Sequence, residues 1–198
     1  MPRQTQDLSD FLDGVDGLGE PDAPVPPVPA IRPSPVAVRM ADEPVAVRTL
    51  EASPRQAVLE AGWRARDHPE QWEEFGWRSP AELAQRLKER LAFDRTTRRE
   101  FRGAHQNHYL TVALAMVPDD PVKAAELGME WRRAHRGPTR MANGSGRLVD
   151  SAMYERMRRI ADALPAINST AKVWEITAWA LSDLLDRLDE ADAAATGG

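Results

Sequence analysis

Three groups of side chains in this sequence could do chemistry. In "ANGSGRLVD", starting at Ala142, the residues Asn143, Ser145 and Arg147 alternate with small or apolar ones. If Ala142 to Val149 is extended, these three side chains share one face, and Ala142, Gly144, Gly146 and Leu148 share the other. The first face offers an amide, a hydroxyl and a guanidinium. Asparagine pairs with adenine and arginine with guanine in a major groove wide enough for a two-stranded ribbon. A one-residue slip of register exchanges the two faces and turns Leu148 outward. The second group, His105 and His108 in "AHQNHY", can share a helical face, but no cysteine, HExxH pattern or third ligand accompanies the pair, so no metal site is expected. The third, Arg95, Arg98, Arg99 and Arg102 in "RTTRREFR", is either a basic surface able to touch phosphates or a solvated face answering nearby acids.

Catalysis has little support. No nucleophile elbow, phosphate-cradling glycine loop or dinucleotide fingerprint is present, and "NGSG" lacks the lysine of a phosphate loop. Neither an enzyme nor a cofactor is expected. Cysteine is absent from the 198 residues, which removes disulfides and thiolate metal sites and fits a reducing cytoplasm. The opening "MPRQTQDLSDFLDG" turns acidic where a secretory segment needs an apolar core, and no apolar run approaches the ~18 residues that span a bilayer. A cytoplasmic protein with no membrane partner is expected.

The net charge of -5 is unevenly spread. Residues 1 to 60 carry ten acids and five bases, residues 78 to 140 eight acids and thirteen bases, and residues 141 to 198 nine acids and six bases, so the cationic surface belongs to the middle. Arginine greatly outnumbers lysine, which suits phosphate or carboxylate recognition; a GC-rich genome writes the same bias.

Positioning these groups requires elements, and four regions divide the chain. Residues 1–52 read as a disordered acidic, proline-rich arm. "LSDFLDGVDGL" within it could fold on a partner's groove, and "PVAVR" occurs at Pro35 and again at Pro44 as two short docking motifs. Residues 53–137 read as a helical domain of four helices with short connections. Ser53-Pro54 and Ser79-Pro80 each supply an N-cap and a first-turn proline, a third helical stretch runs over roughly Thr96 to Val117, and "DDPVKAAELGMEWRRAHRG" is capped at Asp119 or Asp120 and ends at Gly137-Pro138. A second possible reading makes "ELAQRLKERLAFDRTTRREF" a helix-turn-helix. Trp63, Trp72, Trp77 and Trp131 are assigned to core or seams. Residues 138–190 hold a short strand, a helix capped by Asp150 with Met153, Tyr154, Met157, Ile160, Ala161 and Leu164 as its stripe, a stop at Pro165, and a second helix, "AKVWEITAWALSDLLDRL". That helix is apolar on more than one face, which a dimer partner would cover. Residues 191–198 read as a disordered tail.

Strand, helix, turn and apolar second helix in residues 140 to 188 resemble the ribbon-helix-helix family of DNA-binding proteins, in which two chains pair their strands and lay the ribbon in the major groove. "RLVDSAMYERMRRIADAL" looks like the family's strand end and first helix, and Ile167 with Val173 and Ile176 or Thr177 looks like the turn and second-helix core. The resemblance implies Asn143, Ser145 and Arg147 as base readers, and Ser169, Thr170 and Lys172 as phosphate contacts at a helix N-terminus. The two glycines before Val149 depart from a good strand.

The expected fold class is therefore mainly α, with a disordered N-terminal arm, a helical middle domain and a C-terminal ribbon-helix-helix-like dimerisation unit. The expected function is sequence-specific DNA binding by a homodimer, as a plasmid or chromosome partition adaptor or a transcriptional repressor. On layout alone, the arm would engage a ParA-type ATPase. The alternative is a helical protein-protein adaptor that does not bind DNA.

Overall fold

A computed structural model describes residues 53–137, 139–142 and 145–196, with Ser145 described as backbone only. The expectations for the arm (residues 1–52) and for Asn143 lie outside the described residues.

The described residues are mainly helical, as expected. Six helices and two short strands follow in the order α1 (Pro54–Asp67), β1 (Trp72–Trp77), α2 (Ala81–Thr97), α3 (Gln106–Ala115), α4 (Pro121–Ala134), β2 (Ser145–Asp150), α5 (Ser151–Ala163) and α6 (Val173–Thr196), with 3-10 turns at Pro69–Gln71 and Arg99–Gly103. Local signals start several of them. The Ser53 hydroxyl accepts from the Gln56 amide ahead of α1, Asp120 accepts from the Val122 amide ahead of α4, and Asp150 accepts from the Ala152 amide ahead of α5. At α2 the expected cap differs: Pro80 is the capping residue and Ser79 is buried, donating to the Pro80 carbonyl. The stretch expected as one helix over Thr96 to Val117 is the end of α2, a 3-10 turn and α3. Because α2 runs unbroken to Thr97, "RTTRR" closes a helix and does not open a recognition helix.

The expected division at residue 137 is not found. One core takes Ala57, Leu87, Tyr109 and Leu114 from one side of that position and Val149, Met157, Ile160, Ile176 and Leu184 from the other. Strand β1 pairs antiparallel with β2 in the same chain, placing Trp72 opposite Asp150, Phe75 opposite Arg147 and Trp77 opposite Ser145. Helix α6 shares this core: Ile176, Leu181, Leu184, Leu185 and Leu188 are all fully buried, each contributing about 1.5–3 kcal/mol. The apolar breadth that argued for a second chain is covered by the chain's own helices. At Gly128 of α4 a β-carbon would lie 2.9 Å from the Ile176 side chain.

An ionic network fastens the other end of α6. Asp94 is fully buried on α2 and accepts from Arg90 at 2.8 and 2.9 Å, from the Tyr109 hydroxyl at 2.6 Å and from Arg98. Burial, and then the bond to Asp94, hold the Tyr109 phenol far above its usual titration range. Arg90 and Arg98 reach on to Asp192 of α6 at 2.9 and 2.7 Å, Arg55 of α1 pairs with the same carboxylate, and Arg86 binds Asp186 and Asp189. This network corrects the expected tail: residues 191 to 196 continue α6, because Asp192 is held on α2.

Two sets of variants test this architecture. Asp94→Asn leaves the buried Arg90 and the half-buried Arg98 short of a counter-charge and is expected to lose about 3 kcal/mol in urea denaturation, against about 1 kcal/mol for Tyr109→Phe. On β2, Leu148→Ser is expected to stay within about 0.5 kcal/mol of wild type, whereas Val149→Ser is expected to cost about 2 kcal/mol or more. Equal effects at the two positions would contradict the strand's orientation.

Candidate functional site

The alternation read from the sequence is present in β2, with its faces exchanged. Val149 is fully buried, and Phe75 and Trp77, which lie on the same face through β1, are buried beside it. Arg147 is two residues from Val149 and so turns inward with it. Its guanidinium carbon lies 5.7 Å from the Trp77 ring centroid and its Nη2 donates to Gln106 at 3.0 Å. Leu148 is the outward residue, 49% exposed. Burial of Val149 decides the register, because presenting Arg147 to solvent would expose it. The outer face also carries a carboxylate. Glu74, which faces the same way as Leu148, lies so close to Gly146 that a β-carbon there would overlap its carboxylate.

At the start of α6 the three expected phosphate contacts are already engaged. Ser169 accepts from the Ala171 amide at 3.1 Å, the Thr170 carbonyl and hydroxyl accept from Arg132 at 2.6 and 3.3 Å, and the Lys172 amide donates to Glu175 at 2.8 Å. Glu175 is buried and binds Arg132 through both oxygens, at 2.7 and 2.5 Å. This carboxylate occupies the helix end where an anion would sit, leaving the exposed Lys172 side chain as the available cation.

Of the arginine run, Arg95 donates to the Ala104 carbonyl and Arg98 to Asp94 and Asp192, so two of the four are structural; Arg99 and Arg102 are exposed. His105 and His108 cap α3, with the His108 ring accepting from the His105 amide at 3.2 Å. No group of three metal-ligating side chains occurs among the described residues. Burial, and then the charges of His105, Arg95 and Arg66, push the His108 imidazole down to about 4.

Another place draws cations together. Beyond the end of α4, "WRRAHRGPTR" carries four arginines and a histidine from Trp131 to Arg140 without an acid, a run legible in the sequence but read there only as a helix end. It borders two adjoining clefts of about 610 and 600 Å³ that share Trp131, His135, Arg136 and Thr139. Arg140 and Gln85 line the first, and Arg78 and Trp174 the second. The floor is aromatic: the Trp131 and His135 rings stack at 4.2 Å and 11°, and Trp174 meets Trp131 edge-on at 5.4 Å. The side chains of Arg78, Arg136 and Arg140 are exposed and have no partner among the described residues. By contrast, Arg55, Arg64, Arg86, Arg90, Arg98, Arg132 and Arg156 all bind carboxylates. Exposed guanidiniums over an aromatic floor can bind phosphate oxygens and stack on planar rings.

In comparison with known proteins the chain matches no family model, no curated protein and no solved structure.

His108 gives a pH test of this region. The folded state keeps it neutral down to about pH 4, while the unfolded chain takes up the proton near 6.5. The unfolded state therefore binds more protons between those values, and stability falls as pH drops through that window. This group alone is expected to cost about 2 kcal/mol between about pH 7 and about pH 5. In urea denaturation at both pH values, His108→Gln is expected to lose correspondingly less on acidification than wild type.

Proposed function

We propose that this chain binds DNA through the arginine cleft, gripping the phosphate backbone with Arg78, Arg136 and Arg140. One observation carries the reading: these three arginines line two adjoining clefts without a carboxylate partner among the described residues, in a protein that pairs ten other arginines with carboxylates. Cations held together in this way form an electrostatic footprint for a polyanion. In this reading the DNA contact expected at the ribbon moves to the cleft, since β2 pairs with β1 of its own chain. The inward Arg147 and the Glu74 carboxylate on the outer face of the ribbon support that move.

The experiment is fluorescence anisotropy of the full chain with labelled duplex DNA from upstream of its own gene and a scrambled control, over a salt series. Binding is expected to weaken with salt, and the slope of log K against log salt is expected to flatten by about 2–3 in Arg78→Ala/Arg136→Ala/Arg140→Ala. Arg147→Ala, verified as folded by circular dichroism, is expected to bind like wild type. Loss of binding in Arg147→Ala with the triple variant unaffected would return the contact to the ribbon. A folded protein that binds no DNA at low salt would overturn the reading in favour of the protein-protein adaptor.

A further inference from the structure

We infer that the cleft seats an unpaired base, so that the DNA gripped there is single-stranded; the inference rests on the DNA-binding reading and specifies its substrate. The aromatic floor carries the argument. Trp131 is only 5% exposed, with one neighbour stacked on it and another edge-on, so its ring is held rigidly. His135 closes the stack. It is exposed, it lines both clefts, and it is tethered by its amide and its Nδ1 to the Trp131 carbonyl at 3.0 and 2.9 Å. One ring face lies on Trp131, which leaves the opposite face for a further planar ring. A base placed there extends a stack whose orientation is already fixed.

Size and charge point the same way. Each cleft has the volume of a site for a small organic group, enough for a base and its sugar and too little for a duplex about 20 Å across. Duplex DNA hides its base faces, so it could use the arginines but not the His135 ring; a single strand can use both. Gly137, at φ 141°, has a backbone conformation that residues with a side chain rarely adopt. It turns the chain between Arg136 and Arg140, and both then border the cleft that His135 lines. Gln85 lines the same cleft; its amide nitrogen donates to Glu89 at 2.9 Å, and its amide oxygen can accept from a base edge. Phosphates on Arg136 and Arg140 with the base on His135 use the cations and the ring of this surface, and the exposed Glu82 on the rim is the one acid they must clear.

The test measures the full chain against a labelled mixed-sequence single strand, the same strand as a duplex, and a deoxynucleoside monophosphate as competitor. The single strand is expected to bind about tenfold or more tighter than the duplex and to quench the intrinsic tryptophan fluorescence. His135→Ala is expected to weaken the single strand about tenfold and leave the duplex unchanged, while His135→Phe restores single-strand affinity because it keeps a ring at that position. Equal binding of both forms, with His135→Ala without effect, would overturn the unpaired base and leave the arginine cleft standing. Displacement of the strand by the monophosphate at equal concentration would overturn the strand and assign the site to a free nucleotide. Absence of any salt-sensitive binding to either form would overturn the DNA-binding reading itself.

Discussion

Everything around α6 depends on how one buried carboxylate is satisfied. Asp94 has no exposed surface, and an isolated charge there would cost several kcal/mol. Arg90, Arg98 and Tyr109 all bond to it, and two of those partners go on to bind Asp192 of α6. Hydrophobic burial brings α6 into the core without fixing how far it slides, because burial has no direction. The ion pairs have direction. A slide of half a turn, about 2.7 Å, would stretch the bonds from Arg90 and Arg98 to Asp192 beyond hydrogen-bond range while leaving apolar side chains against one another. The network therefore sets the register of α6, and register places Glu175 and Trp174 beside the end of α4.

That link connects the core to the candidate site. Glu175 holds Arg132 and the Lys172 amide, so the start of α6 is tied to the last turn of α4. The chain leaving α4 then emerges next to Trp174 and past Pro80, with the Arg140 carbonyl accepting from the Ala81 amide at 2.8 Å and the Ala142 amide donating to the Ser79 carbonyl at 2.9 Å. The segment is therefore anchored on the α4 side through Arg132 and on the far side through Arg140 and Ala142. Its arginines thus form a surface of defined shape, even though none of the three facing the clefts takes part in an ion pair.

Much of this was legible in the sequence, and the limit lies at sequence separation. Caps at Ser53, Asp120 and Asp150, first-turn prolines and the α5 stripe are readable because the physics acts within one or two turns. Strand β1 was not read. "WEEFGW" becomes a strand only by pairing with a partner some seventy residues later, and that partner also decides which way Arg147 points. The ion network left a signal that could have been read: Arg86, Arg90, Asp94 and Arg98 recur every four residues on α2, and Asp186, Asp189 and Asp192 every three on α6. Each is a one-sided ladder of charge, and opposite ladders on two apolar helices suggest a pair. The acid-free run from Trp131 to Arg140 was equally visible, but its meaning needed Arg78 and Trp174, which the fold brings from more than thirty residues away on either side.

Keeping Arg78, Arg136 and Arg140 together has an electrostatic cost, since like charges around a concave surface repel more than the same charges spread apart. Two features of the fold reduce it. The clefts open to solvent, where water screens each guanidinium, and the carboxy-terminal carbonyls of α4 present partial negative charge to the segment that follows. Neither supplies the paired hydrogen bonds that a guanidinium makes with a carboxylate or a phosphate. For ten other arginines the chain answers that demand from its own aspartates and glutamates, down to the bidentate Arg132–Glu175 pair on the rim of this same cleft. The demand left unanswered is for oxygen anions, arriving from outside, at a place where a fixed ring is ready to orient whatever carries them.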